Sequence, residues 1–202
     1  TGGNNTAIGK DSLSAATSGD SNTAVGAESL EDNTTGSHNT AIGKDALREN
    51  TTASNNTALG SSAMNANTTG SQNVAVGKEA LAANTTAANN VGVGDRAGKT
   101  LTTATQNTFV GGASGFNAST SDDNTGIGYG ALFATTTGAN NTSVGSNSLL
   151  GNTTGHSTVA VGATALTANT TGTSNVAIGR QCLDANTEGG SNVAVGRGAL
   201  GS

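Results

Sequence analysis

The chain has 202 residues, and Gly, Thr and Asn together make up about 45% of it. Leu, Ile, Val and Phe reach only about 15%, below the roughly 20% at which an ordinary globular core becomes doubtful. The formal net charge of −5 argues against a nucleic-acid partner, and no apolar run approaches the roughly 18 residues of a membrane span. The single Cys182 excludes a disulfide framework, and the distant His38 and His156 argue against a histidine metal site.

A strict internal repeat organises the whole chain. A glycine recurs every 17 residues from Gly9 to Gly196 without insertion or deletion. With this glycine placed at position 5, the twelve repeats start at residues 5, 22, 39, 56, 73, 90, 107, 124, 141, 158, 175 and 192. A fixed period of this length predicts one repeat domain over residues 1–202.

The elements of one repeat follow from its residue types, taken in order. Position 1 is Asn in all repeats but one, where Thr158 stands. Positions 2 to 4 alternate between a Thr or Val, a small residue and an Ile, Val or Leu, which predicts a short strand. The glycine at position 5 predicts a turn. The Leu or Met at position 9 suggests a second short strand, and the usual Asn-Thr-Thr-Gly at positions 12 to 15 predicts another turn.

Coils of equal length predict an all-β fold, a parallel β-solenoid of twelve 17-residue coils in which each strand pairs with its copies above and below. Identical asparagines at successive levels predict hydrogen-bonded ladders. We expect positions 4 and 9 to form a thin core, and the small residues at position 3 to allow close approach of another chain. Because such a core buries little apolar surface, the sequence also predicts an oligomer.

The repeat Asn-Thr-Ala-Val/Ile-Gly-x-x-Ala/Ser-Leu resembles the head repeat of trimeric autotransporter adhesins, the YadA-like family. The likeness is best at residues 22–30, 39–47 and 73–81. Family repeats are usually about three residues shorter, and the Asn-Thr-Thr-Gly segment looks like the added length. Longer repeats of this kind also look like those of other surface-fibre and phage tail-fibre proteins.

This resemblance implies a left-handed parallel β-roll, three chains about one axis, and a role in attachment without catalysis. The chain starts in phase at Thr1 and ends within a repeat at Ser202, so we expect a segment of a longer fibre. The expected place is the cell surface or a virion, on an outer-membrane-anchored or viral fibre. The expected partners are two further copies and a host surface protein or glycan, with no membrane insertion by this segment.

The repeats in the middle of the chain depart from the pattern. Gly98 and Gly115 replace the Leu of position 9, and four aromatic residues cluster nearby. One interpretation is a ligand-contact patch, because exposed aromatic residues are enriched in interfaces. The interpretation that we favour is local repacking, in which Phe116 and Leu101 fill the space of the missing leucines. The candidate patch consists of Phe109, Phe116, Tyr129 and Phe133.

The other chemistry-bearing residues suggest structural roles. Lys10-Asp11, Lys44-Asp45 and Lys78-Glu79 are expected to form solvated ion pairs. Asp122-Asp123-Asn124 offers fewer spaced oxygen ligands than a calcium loop needs, and Cys182 is expected to be a small packed residue. Six Asn-x-Ser/Thr sequons fall at position 12, where we favour a turn over a line of glycans. We therefore expect no metal, no cofactor and no enzyme activity.

A second function is kept as an alternative. Position 13 is Thr in ten of eleven repeats and position 14 in nine of eleven, and regular Thr columns on a solenoid could bind ice. Adjacent residues of a strand point to opposite faces, which argues against a flat array built from these two columns. The main prediction is a structural, adhesive segment of a trimeric fibre.

Overall fold

The computed structural model describes residues 2–201. Thr1 and Ser202, from which we expect the chain to be a segment of a longer fibre, lie outside the described residues. Each coil contributes one three-residue strand at positions 2 to 4. The strands are β1 (Thr6–Ile8), β2 (Thr23–Val25), β3 (Thr40–Ile42), β4 (Thr57–Leu59), β5 (Val74–Val76), β6 (Val91–Val93), β7 (Thr108–Val110), β8 (Thr125–Ile127), β9 (Thr142–Val144), β10 (Val159–Val161), β11 (Val176–Ile178) and β12 (Val193–Val195).

The twelve strands form one parallel sheet in chain order, and equivalent positions of successive coils pair with each other. Ala24, for example, pairs with Ala7 below it and Ala41 above it. This arrangement confirms the predicted all-β solenoid with a 17-residue spacing. We number the coils 1 to 12 from their position-1 residues, so that coils 7, 8 and 9 start at residues 107, 124 and 141.

Backbone hydrogen bonds also join the coils outside the sheet. The N–H of Leu47 donates to the carbonyl of Ala63 at 3.0 Å, and that of Thr51 donates to Thr68 at 3.1 Å. The predicted second strand at position 9 is wrong, because its leucines have φ near +50°, as at Leu47 and Leu81. A left-handed residue turns the chain sharply, so positions 6 to 11 form a tight turn.

The glycine at position 5 is required for two independent reasons. Its φ is +141° at Gly60, a region that residues with a Cβ rarely enter. A Cβ built at Gly60 would also lie 2.4 Å from the carbonyl oxygen of Gly77 in the next coil. Conformation and stacking distance therefore both select glycine at this position.

The interior differs from the predicted one, because the inward-pointing and outward-pointing side chains of each strand are exchanged. Position 3 points inward and is fully buried from Ala24 to Ala177, whereas every residue at position 4 is at least partly exposed. The expectation that position 4 lies in the core and position 3 on an outer face is therefore wrong. The core consists of the small residues of positions 3 and 8 and the leucines of position 9.

Two ladders of buried asparagines fill the rest of the interior. At position 1, Asn39 donates through Nδ2 to the carbonyl of Ala53 at 2.8 Å, and its Oδ1 accepts from the backbone N–H of Asn56 at 3.0 Å. At position 12, the Nδ2 of Asn50 donates to the Oδ1 of Asn33 at 2.8 Å. The predicted asparagine ladders are thus present, and they satisfy polar groups that would be costly if buried without partners.

The position-12 ladder is interrupted in coils 6, 7 and 8, where Leu101, Ala118 and Thr135 replace asparagine. All three are fully buried. Within the described residues, the Oδ1 of Asn84 and the Oγ1 of Thr135 consequently have no hydrogen-bond partner. The middle of the rod is therefore packed differently from both ends.

Candidate functional site

The four aromatic residues of the predicted patch do not lie together. Phe109 is fully buried at position 3 of coil 7. A Cβ at Gly115 would lie 2.4 Å from the ring of Phe109, and a Cβ at Gly98 would lie 3.1 Å from the same ring. Phe109 therefore fills the space beside Gly115 and shares the space beside Gly98 with Leu81. Leu101 is also fully buried in the core, whereas Phe116, which we expected to fill one of these spaces, is half-buried in a turn.

The other three aromatic residues point outward from the turns. Phe116 and Phe133 occupy position 10 of adjacent coils and are half-buried. Their rings stack with centroids 5.2 Å apart and planes 14° apart. The Nζ of Lys99 lies 5.9 Å from the centroid of Phe116, and Tyr129 at position 6 is 67% exposed. The structure thus reduces the candidate patch to Phe116, Tyr129 and Phe133.

A second and longer surface was missed by the sequence reasoning. The position-4 side chains form one apolar stripe along the outer face of the sheet, from Ile8 to Val195. Leu59 is 44% exposed and Ile127 is 41% exposed. A monomeric soluble protein rarely exposes a contiguous apolar surface of this length. The signal in the sequence was the small residue at position 3, which suits a narrow interior better than an external contact.

The charged residues of the turns form ion pairs at the surface. The Nζ of Lys10 lies 3.1 Å from the Oδ2 of Asp11, and the Nζ of Lys44 lies 3.2 Å from the Oδ2 of Asp45. The hydrogen bond to Asp11 and its charge raise the pKa of Lys10. Lys99 donates to the carboxylate of Glu79 at 2.7 Å, and this hydrogen bond lowers the pKa of Glu79. The three predicted pairs are present at the surface, although the Nζ of Lys78 lies 3.9 Å from Glu79 and the shorter contact of Glu79 with Lys99 was not predicted.

The residues considered for metal or nucleophilic chemistry have structural surroundings. The Oδ1 of Asp122 accepts from the backbone N–H of Thr105 at 2.6 Å and from its hydroxyl at 3.2 Å. Cys182 is buried, with Sγ 3.2 Å from the carbonyl oxygen of Ala194. His38 and His156 are exposed in turns of different coils. Residues 2–201 contain no cluster of three or more metal-binding side chains.

The sequons divide into buried and exposed sites. The six at position 12 belong to the interior ladder and are fully buried: Asn33, Asn50, Asn67, Asn84, Asn152 and Asn169. A glycan cannot be attached to such a side chain in the folded solenoid. The alternative of a line of glycans along one edge, which the sequence analysis did not favour, is therefore incompatible with the fold, whereas Asn4, Asn55 and Asn140 are exposed.

The two threonine columns of the alternative function are not equivalent. At position 13 the hydroxyl donates to the carbonyl of the next coil, as from Thr34 to Thr51 at 3.0 Å. At position 14 the threonines are exposed in nine successive coils, from Thr35 to Thr171. Within residues 2–201, the nine exposed threonine hydroxyl groups of position 14 form no coil-to-coil hydrogen bond.

Comparison with protein-family models, with curated proteins and with solved structures gives no match for this chain. Nor do residues 2–201 include a helix that is long and apolar enough to cross a membrane. The candidate surfaces are therefore interpreted from their own chemistry.

Proposed function

We propose that this chain is a segment of a rigid attachment fibre in which several copies lie side by side. The observation that carries the proposal is the apolar stripe at position 4. It extends over all twelve strands, and burial of the exposed part of each side chain would contribute roughly 1 kcal/mol. A second copy presenting the same stripe is the partner of matching length and chemistry.

The number of copies and the location follow from the family resemblance. Three chains about one axis would bring three stripes together and remove them from water. The resemblance also places such a fibre on a cell surface or a virion, where its partner would be a host surface protein or glycan. A phage tail fibre would use the same geometry. The role is structural and adhesive, and it requires no catalysis.

A stiff stack is well suited to attachment. Each coil is joined to its neighbours by backbone hydrogen bonds and by two asparagine ladders, so the repeated surface is held at a fixed spacing of about 4.8 Å. Several copies in one fibre present several equivalent binding surfaces, and weak contacts then add through their effective concentration.

The test is the solution mass, measured by light scattering after size exclusion. We expect the wild-type chain to have about three times its mass of 19.3 kDa. A variant with Ile42→Lys, Leu59→Lys, Ile127→Lys and Ile178→Lys should be a folded monomer, because these side chains point outward. The matched control carries Thr52→Lys, Thr69→Lys, Thr137→Lys and Thr171→Lys at position 14. A folded wild-type monomer, or equal dissociation of both variants, would contradict the proposal.

Ice binding is the second candidate, and the exposed threonines of position 14 favour it. In this case nine hydroxyl and methyl groups, repeated at the coil spacing, would contact the ice lattice. The measurement is thermal hysteresis of the wild-type chain and of the position-14 lysine variant. Hysteresis that the lysine substitutions abolish would support ice binding, and a value equal to that of buffer would exclude it.

A further inference from the structure

The turns of coils 7 to 9 carry a surface that no other part of the rod repeats. Position 10 is Ser, Asn, Ala or a charged residue in the earlier coils, but it is Phe116, Phe133 and Leu150 in these three. The three apolar side chains follow one another along the rod at the coil spacing. Together with Tyr129, Ser146 and Asn147 they form what we call the neutral aromatic patch.

Glycines of the turns allow the patch to lie flat. A Cβ at Gly112 would contact the ring of Tyr129 at 3.5 Å, so this ring extends over the coil below. A Cβ at Gly130 would lie 2.6 Å from the Oδ1 of Asn147 and 3.5 Å from Leu150. Because these two positions have no side chain, the Tyr129 ring lies over Gly112, and the Asn147 amide and the Leu150 side chain come together over Gly130.

Most of the patch lies in an uncharged part of the chain. Between Asp123 and Arg180 there is no Asp, Glu, Lys or Arg over 56 residues. The exception is Phe116, whose ring centroid lies 5.9 Å from the Nζ of Lys99, and Lys99 is itself paired with Glu79 at 2.7 Å. The charge beside the patch is therefore already neutralised, which favours an uncharged ligand that combines apolar surface with hydroxyl groups.

We propose that the neutral aromatic patch binds an uncharged glycan that runs parallel to the rod. The exposed ring of Tyr129, the outer edges of the stacked Phe116 and Phe133 rings and Leu150 would contact the apolar C–H groups of successive sugars, because a coil spacing of about 4.8 Å is close to the length of one sugar residue. Ser146 and Asn147 would exchange hydrogen bonds with sugar hydroxyl groups. The proposal deepens the proposed attachment function, on which its biological role rests, by naming the ligand class.

The chain itself supplies a specific reporter of binding. It contains one tyrosine and no tryptophan, so intrinsic tyrosine fluorescence reports on Tyr129 alone. The probes are the neutral hexasaccharides cellohexaose, maltohexaose and chitohexaose, with a heparin hexasaccharide as the charged comparison. We expect at least one neutral probe to change the fluorescence saturably and the heparin probe to have no effect. No response to any neutral probe, or tighter binding of heparin, would overturn the proposal.

Matched variants locate the site by calorimetry. Ser146→Arg places a charge in the patch, and Ser61→Arg makes the same change at position 6 of coil 4. Both should fold, because Arg180 and Arg197 occupy this position naturally. We expect Ser146→Arg to weaken neutral-glycan binding about tenfold and Ser61→Arg to leave it unchanged. Equal effects of the two would show that the glycan binds elsewhere.

The mass of each sample separates this proposal from the fibre proposal. Neither variant changes position 4, so the chain count should stay that of the wild type. If Ser146→Arg instead lowers the mass, the patch is a contact between copies and the glycan proposal is wrong. If glycan binding is present in a monomer, the patch proposal stands and the fibre proposal fails.

Discussion

At the scale of single residues, the solenoid depends on backbone conformations that most side chains avoid. Every complete coil contains left-handed residues at positions 7, 9 and 17, such as Asp45, Leu47 and Asn55. Leucine is rarely left-handed, since its Cβ then approaches the following carbonyl. In the interior coils, from Leu30 to Leu166, each leucine of position 9 is fully buried, and the gain from burial offsets the conformational cost.

Glycine at position 5 should be irreplaceable. In Gly60→Ala the new Cβ would lie 2.4 Å from the carbonyl oxygen of Gly77 at a φ of +141°. We expect a loss of about 3 kcal/mol in the free energy of unfolding, seen as a lower midpoint in thermal unfolding followed by circular dichroism. Gly112→Ala is the control, because its Cβ meets ordinary contact distances. Equal midpoints for the two variants would contradict this account.

Position 17 offers the opposite test. Gln72 has a φ of +63°, and asparagine enters this region more readily than other residues with a side chain. Gln72→Asn should therefore stabilise the chain by about 0.5 kcal/mol, whereas Gln72→Val should destabilise it, because a β-branched residue is strained there. The same thermal measurement would refute the argument if the order of the two variants were reversed.

At the scale of elements, one inward aromatic ring replaces two leucines. Phe109 occupies the space beside Gly98 and Gly115, and its neighbours at position 3 are Gly92 and Gly126 instead of alanine. The exchange keeps the interior filled while the outer surface of the same coils changes. Phe109 belongs to coil 7, where the neutral aromatic patch begins, so the packing of the core and the residues of the surface both differ from the regular pattern in this part of the rod.

The exchange predicts a specific rescue. Phe109→Ala should lower the free energy of unfolding by about 3–5 kcal/mol, because it leaves a cavity. Gly115→Leu alone should also destabilise, since its Cβ would lie 2.4 Å from the ring. The double variant Phe109→Ala, Gly115→Leu has the alanine at position 3 and the leucine at position 9 that are typical of the regular coils. We expect it to be more stable than either single variant. Additive losses in chemical denaturation would show that the two residues do not share one space.

At the scale of the whole molecule, the sequence predicted the repeat architecture but not its inner and outer sides. The invariant 17-residue period, the strand at positions 2 to 4 and the asparagine ladders follow from residue types at fixed spacing. The assignment of sides failed because an alternation with a period of two is satisfied by either side. The larger apolar residue at position 4 favoured the wrong side of the strand as the core side. In fact the asparagines and leucines leave room only for a small residue at position 3.

The candidate surfaces were predictable only in part for the same reason. Phe116, Tyr129 and Phe133 could be found as exceptions to the repeat, but Phe109 is an exception of the same kind and lies inside. Phe109 lies inside because position 3 points inward, whereas the sequence predicts that position 3 lies on the outer face. Likewise the stripe at position 4 could not be recognised as a surface until its side was known.

The strict period makes a final prediction for the whole rod. Deletion of residues 56–72 removes one complete coil and joins Asn55 to Asn73, so every remaining column stays in register. We expect a folded rod that is shorter by about 4.8 Å, measured by small-angle X-ray scattering. Deletion of residues 58–73 removes one residue fewer and places Val74 where Ala58 pointed inward. A one-residue slip exchanges the two sides of a strand, so this variant should lose much of its thermal stability. If both deletions were tolerated equally, the coil-to-coil ladders would not be what holds the solenoid together.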